Sequence, residues 1–192
     1  MRGKIKSATI GLSLLAYQIS YGQMYTAELA GELYESSALE WATDSTFFTI
    51  NDSGNDPELF EFDRNGRILH TWDLSDWGCE NEDWEALARD DEYLYVADFG
   101  NNFNPRRDLV IYRLQLSQLR RSKQGLPPAN NANYRADKLW ITPTEQHAYP
   151  PADPSLQYDF ESLYSDGDQL VFFSKNRTEP NNGWARIYRI GK

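Results

Sequence analysis

Residues 83–102 read DWEALARDDEYLYVADFGNN. The stretch opens on the triplet Asp83-Trp84-Glu85, passes a polar turn at Asp90-Asp91-Glu92, and runs on as YLYVAD (93–98) to a stop at Gly100. Short β-branched and aromatic runs closed by turn residues read as strands. Alternation places Leu94 and Val96 on one face of this strand and Tyr93 and Tyr95 on the other. Both faces are apolar, so both are expected to be covered by neighbours.

The same order of features occurs twice more. The first copy is SALEWATDSTFFTINDSGNDPELFEFDRNG (37–66) and the third is ESLYSDGDQLVFFSKNRTEPNNGWARIYRI (161–190). Each copy opens on a small residue and a leucine: Ala38-Leu39, Ala86-Leu87 and Ser162-Leu163. A turn follows, then a strand, a polar loop, and a second strand with alternating aromatics: ELFEF (58–62), LVIYRL (109–114) or ARIYRI (185–190). RILHTWDL (67–74) and ADKLWITP (136–143) add a further strand to the first two copies. DRNG (63–66) is a hairpin turn in which Asn-Gly supplies positive φ, and Gly54 and Gly100 are expected in positive-φ turns as well. The one helical candidate is LSQLRRSKQ (116–124), stopped by Gly125-Leu126-Pro127-Pro128. Its basic run, Arg120 to Gln124, reads as a solvated insertion.

Repeats of short antiparallel strands point to an all-β fold of propeller blades, each shielding the next. The expected blades are residues 35–75, 83–143 and 159–192, within a partial propeller over 23–192. The segment ALARDDEYLYVADFGNN…LVIYRL resembles the NHL repeat of six-bladed propellers. NDSGNDPELFEFDRNGRIL, DWEALA…RRDLVIYRL and DFESL…IYRI are similar to a group of exported bacterial NHL-like proteins. More distantly, the chain resembles phytase-like and gluconolactonase-type propellers. About three blades are legible where the family closes a ring with about six. Three arrangements fit that count: a split or truncated gene product, two copies pairing as a homodimer to complete one ring, or a smaller open assembly.

Glu85 in DWEAL and Glu161 in DFESL occupy equivalent places, expected just before the first strand of their blades and near a central channel. Oxygens converging from several blades suit Ca²⁺, which takes six to eight such ligands. The resemblance to gluconolactonase-like propellers implies a calcium held by Glu, Asn and Asp. Asp52, Asp98 and Asn101, with Asn55, are the further candidate ligands if their loops reach the same mouth. The competing reading makes these acids turn caps that accept backbone N–H groups. Lys175 interrupts the acidic pattern, and would neutralise the cluster or meet an anionic ligand. Trp84, with Trp72 and Trp77, is a candidate sugar-stacking platform, set against burial between blades. Ser53 has no matching histidine and reads as part of a tight turn.

The chain has 192 residues and a formal net charge of −10. MRGKIK followed by ATIGLSLLA and SYGQ reads as an export signal over residues 1–22. Its removal would leave 16 basic against 29 acidic residues, a net charge of −13. Such a surface repels nucleic acid and anionic lipid, and no apolar run is long enough to span a membrane. Cys79 is the only cysteine, so no internal disulfide can form. The expectation is an exported NHL-like propeller that binds a protein or small molecule, located in the periplasm, at the cell surface or outside the cell. The alternative is a calcium-dependent hydrolase of phosphoesters, esters or lactones.

Overall fold

The computed structural model describes residues 26–129, 133–152, 156–181 and 183–192. The proposed leader at 1–22 lies outside them. Among the described residues the chain is mostly β, in three antiparallel sheets with one α-helix. The first sheet has the order β1 (Glu40–Trp41), β2 (Thr46–Ile50), β3 (Glu58–Asp63), β4 (Ile68–Asp73). The second runs β5 (Trp84–Arg89), β6 (Tyr93–Asp98), β7 (Val110–Gln115), β8 (Asp137–Trp140). The third has three strands, β9 (Asp159–Asp166), β10 (Gln169–Lys175) and β11 (Ile187–Gly191). Among the described residues no helix is long and apolar enough to cross a membrane.

The run YLYVAD is β6 from end to end, and four of its residues, Leu94 to Ala97, are fully buried. Its two faces serve two cores. Leu94 and Val96, with Trp84, Leu87 and Tyr112, meet Phe48, Ile50, Leu59 and Trp72 of the first sheet. Tyr95 and Ala97, with Ala86, Ala88 and Ile111, meet Phe160, Leu163, Leu170 and Phe172 of the third. The second sheet is thus the filling between the other two, which is why its middle strands carry no polar face.

One expectation is corrected at the acidic motifs. Glu85 and Glu161 do not precede the first strands; they lie within them, in β5 and β9. Each is the extra residue of a β-bulge. The pairing shifts between Trp84↔Asp98 and Ala86↔Ala97 in one sheet, and between Phe160↔Ser174 and Ser162↔Phe173 in the other. In the first sheet the chain advances four residues from Ser36 to Glu40 while its partner advances three, from Asn51 to Phe48. One extra residue is therefore accommodated at the same place in all three sheets. A strand with charges in its path does not advertise itself by alternation, and the bulge breaks what alternation remains.

The bulge also fixes which leucines correspond. Leu39, Leu87 and Leu163 each stand three residues after the last pair before it. Leu87 and Leu163 are 6% and 9% exposed, each packed against the preceding sheet, whereas Leu39 is 64% exposed. The positions are equivalent but their surroundings are not, because among the described residues no sheet precedes the first. That outward face is covered in part by Leu33, which packs on Phe60 and Phe62.

The glycines divide by cause. Gly54 and Gly66 take positive φ, 78° and 79°, and Gly66 does so alone in its hairpin while the Asp63 carboxylate caps the N–H groups of Asn65 and Arg67. Gly100 does not have positive φ; its lack of a side chain answers a steric need described below. Helix α1 (Leu116–Lys123) buries Leu116 and Leu119 in the core shared by the first two sheets. Its basic run, Arg120 to Gln124, stays exposed or half-buried, and Lys123 Nζ donates to Glu61 Oε2 of β3 at 2.5 Å, tying helix to sheet.

Candidate functional site

The first strands of the sheets gather on one side, with β5 in contact with β1, β2 and β9. At one end of that gathering the motif DWE and the loop after β2 bring carboxylates together. One oxygen from each of Asp52, Asp83 and Glu85 lies within 4.8 Å of the others, and all three residues are half-buried. Asp83 and Glu85 close over the backbone of Gly100. A Cβ at that position would stand 2.4 Å from the Asp83 carboxyl and 2.7 Å from Glu85 Oε1. Any side chain at this position would have to push both carboxylates aside.

Neither the Asp83 nor the Glu85 carboxyl accepts a hydrogen bond from a described residue, whereas Asp52 accepts the Ser53 N–H at 2.6 Å. Burial, then the Asp52 charge, pushes Asp83 up to about 6, against the opposing pull of Arg106. Burial, then Glu161 with Asp52 and Asp83, pushes Glu85 up to about 8. The folded chain therefore keeps protons on these groups in a range where the unfolded chain, with values near 3.8 and 4.5, has lost them. Their effect on stability is neutral in acid and turns unfavourable as pH rises from about 4 through about 8. In chelator, Glu85→Gln should flatten that decline and leave the variant more stable at pH 8 by on the order of 1 kcal/mol, after allowance for solvent screening. Urea unfolding of both proteins at several pH values checks this; parallel curves would refute it.

The equivalent acids of the third sheet are handled differently. Asp159, fully buried, accepts the Asn101 N–H at 2.7 Å and Arg177 Nε at 2.6 Å. Arg177 also reaches Glu161 at 3.1 Å and the Asn102 side chain. Lys175 joins Glu161 at 3.0 Å, the neutralising role expected of it. Cations thus serve the acids of β9, while those of β5 face one another.

No protein-family model matches this chain, and no curated protein matches it.

Of the sequence candidates, Asp52 and Glu85 come together, with Asp83, while Glu161 stands outside that group, paired with Lys175 and Arg177 and acting on Glu85 through charge. Asp98 and Asn101 do not join them. Asp98 is buried and receives Arg106 Nη1 at 2.8 Å and the Asp83 N–H at 3.0 Å. Asn101 is buried too; its amide donates to Tyr158 O and its oxygen accepts the Arg106 N–H. Both are clasps between sheet and loop, the turn-capping role that competes with ligation. Asn55 binds Glu35 and receives the Tyr34 hydroxyl.

The sugar platform is absent. Trp84 is fully buried with Nε1 bonded to Glu80 O, Trp72 and Trp77 are 4% exposed, and Trp77 stacks on Tyr134. Asp83, Asp159 and Arg177 are the members that sequence reasoning left out. Asp83 and Glu85 flank Trp84, and a two-residue period would have put them on one side of a strand had DWE been read as a strand. The larger clefts lie elsewhere. One of about 610 Å³, lined by His70, Trp72, Asp73 and Tyr134 among others, sits at β4, the opposite edge of the first sheet from β1.

Proposed function

We propose that the chain is an exported binding module of the NHL-like propeller type, with residues 35–75, 83–143 and 159–192 each forming one blade. Its ligand-facing end is the acidic cluster of Asp52, Asp83 and Glu85. The reading is supported by three sheets that share one bulge position and pack face to face in sequence order, and by the basic-then-apolar leader. The observation that carries the site is the approach of three carboxylates without a cation of the protein's own between them. Two oxygens on one Ca²⁺ at about 2.4 Å lie no more than about 4.8 Å apart, so the three groups suit a single hard cation. Water or a ligand's oxygens would complete its shell.

A second reading, a calcium-dependent hydrolase, draws on the same carboxylates. A bound cation would polarise a phosphoryl or ester oxygen and acidify water. The chain's own part would be to hold that cation through Asp52, Asp83 and Glu85 beside Arg177 and Lys175, whose charges suit an anionic substrate.

Calcium titration followed by thermal melting tests the site. With affinity of the extracellular class, about 10 mM Ca²⁺ should raise the melting temperature by roughly 3–8 °C. Asp83→Asn should abolish the rise. A flat response in the unaltered protein would remove the site. Calcium-dependent cleavage of a generic phosphomonoester or ester would favour the hydrolase over the pure binding module.

A further inference from the structure

The two internal boundaries between sheets are built alike, and the likeness extends to the faces left over. Call the face bearing Leu87 and Val96 the leading face of the second sheet; it packs on the first. The face bearing Leu163 and Phe172 is the leading face of the third; it packs on the second. Positions paired at the same distance from the bulge are Leu39 and Thr49 on the first sheet, so its leading face is the outward one. There Leu39 is 64% and Trp41 50% exposed. The trailing faces follow the same rule. Ile50 and Ala97 are equivalent and fully buried, each against the next sheet, whereas their counterpart Phe173 is 37% exposed. Beside Phe173, Tyr164 stacks on it at 6.2 Å and Ile187 is 46% exposed.

The described residues therefore leave a leading face open at Leu39 and Trp41, where Leu33 does not cover it, and a trailing face open at Phe173, the two halves of a boundary the chain makes twice internally. Residues 26–52 hold six acids and no Lys or Arg, while the third-sheet segment, residues 159–192, holds five basic and five acidic residues and is neutral. Arg189, on the trailing face of β11, is exposed.

We infer that the trailing face of the third sheet docks on the leading face of the first sheet of a second copy of this chain, head to tail. The contact is heterologous, and two copies cover both free faces if the rotation closes. It continues an interface already built within the chain. Nothing in it depends on the carboxylate cluster or on calcium.

The full chain is tested by light scattering coupled to size exclusion, over a range of concentrations in chelator. Twice the chain's mass is expected, and a monomer at every concentration overturns the inference. Leu39→Arg and Phe173→Arg change exposed side chains and should leave the fold, read by circular dichroism, unaltered. Each alone should weaken self-association roughly thirtyfold or more. Mixed together they should form a one-to-one pair, because the Leu39→Arg chain keeps an intact trailing face and the Phe173→Arg chain an intact leading face. Self-association as tight in either single variant as in the unaltered protein, or no pairing on mixing, overturns the head-to-tail arrangement. Loss of the calcium response with the dimer intact would count against the proposed function alone.

Discussion

Trp84→Ala is expected to cost about 4 kcal/mol, a large share of the 5–15 kcal/mol that holds a typical domain. The indole is fully buried at the boundary of the first two sheets, in tilted contact with Tyr112, and its N–H is bonded to Glu80 O at 2.8 Å. Removal opens a cavity that β2, β6 and β7 cannot close, since each of these is held by a ladder on both edges. It also leaves the Glu80 carbonyl without its donor. For a chain of this size the melting temperature should fall by roughly 8–16 °C. Trp140→Ala, at a position 61% exposed, is the control and should shift stability by no more than about 0.5 kcal/mol. Thermal and urea unfolding measure both. A loss below about 1 kcal/mol for Trp84→Ala would mean that the sheets do not pack as described.

Arg106→Ala should be comparably damaging, by about 3–5 kcal/mol, for an electrostatic reason. Asp98 is 2% exposed, and among the described residues Arg106 is its only charged partner, at 2.8 Å. Arg106 also donates to Gly100 O at 3.0 Å, so it fixes the loop beneath the acidic cluster. Burial already holds the Asp98 carboxyl above its ordinary value of 3.8, with the arginine opposing the rise. Without Arg106 the folded value climbs further. A group raised on folding is harmless while protonated in both states and destabilises as pH climbs above its unfolded value. The variant's deficit should therefore be small near pH 4 and grow toward neutrality. Asp98→Asn in the same background should recover much of it. A deficit that does not change with pH would show that the arginine acts through packing alone.

Much of this architecture was legible in the sequence, and the reasons are local. β2, β3, β4, β6, β7, β8, β10 and β11 are short apolar runs between turn residues, and α1 ends where Gly125 forbids continuation. The strands that escaped, β1, β5 and β9, are those whose side chains answer to two demands at once. In β5, Trp84, Ala86 and Leu87 fill cores while Glu85 bulges toward other acids. No single period describes such a strand. The site was half legible for the same reason. Glu85, Glu161 and Asp52 stood out as repeated acids, yet nothing in the spacing separates them from Asp98, an acid of the same pattern that points into an arginine. That distinction depends on Arg106 returning from eight residues away, a tertiary fact. Trp84 reads first as a filler between blades with sugar stacking as the alternative, and the packing of the first two sheets around it decides for burial.

The core clusters have a consequence for how the molecule comes apart. One joins the first sheet to the second and another joins the second to the third; none joins the first to the third. Cohesion is therefore a chain of nearest-neighbour links, as in linear repeat arrays, with the middle unit common to both. Damage to an outer unit is local, while damage to the middle one severs everything at once. Heat and denaturant are met from the flanks inward, and β6 is the last strand to let go.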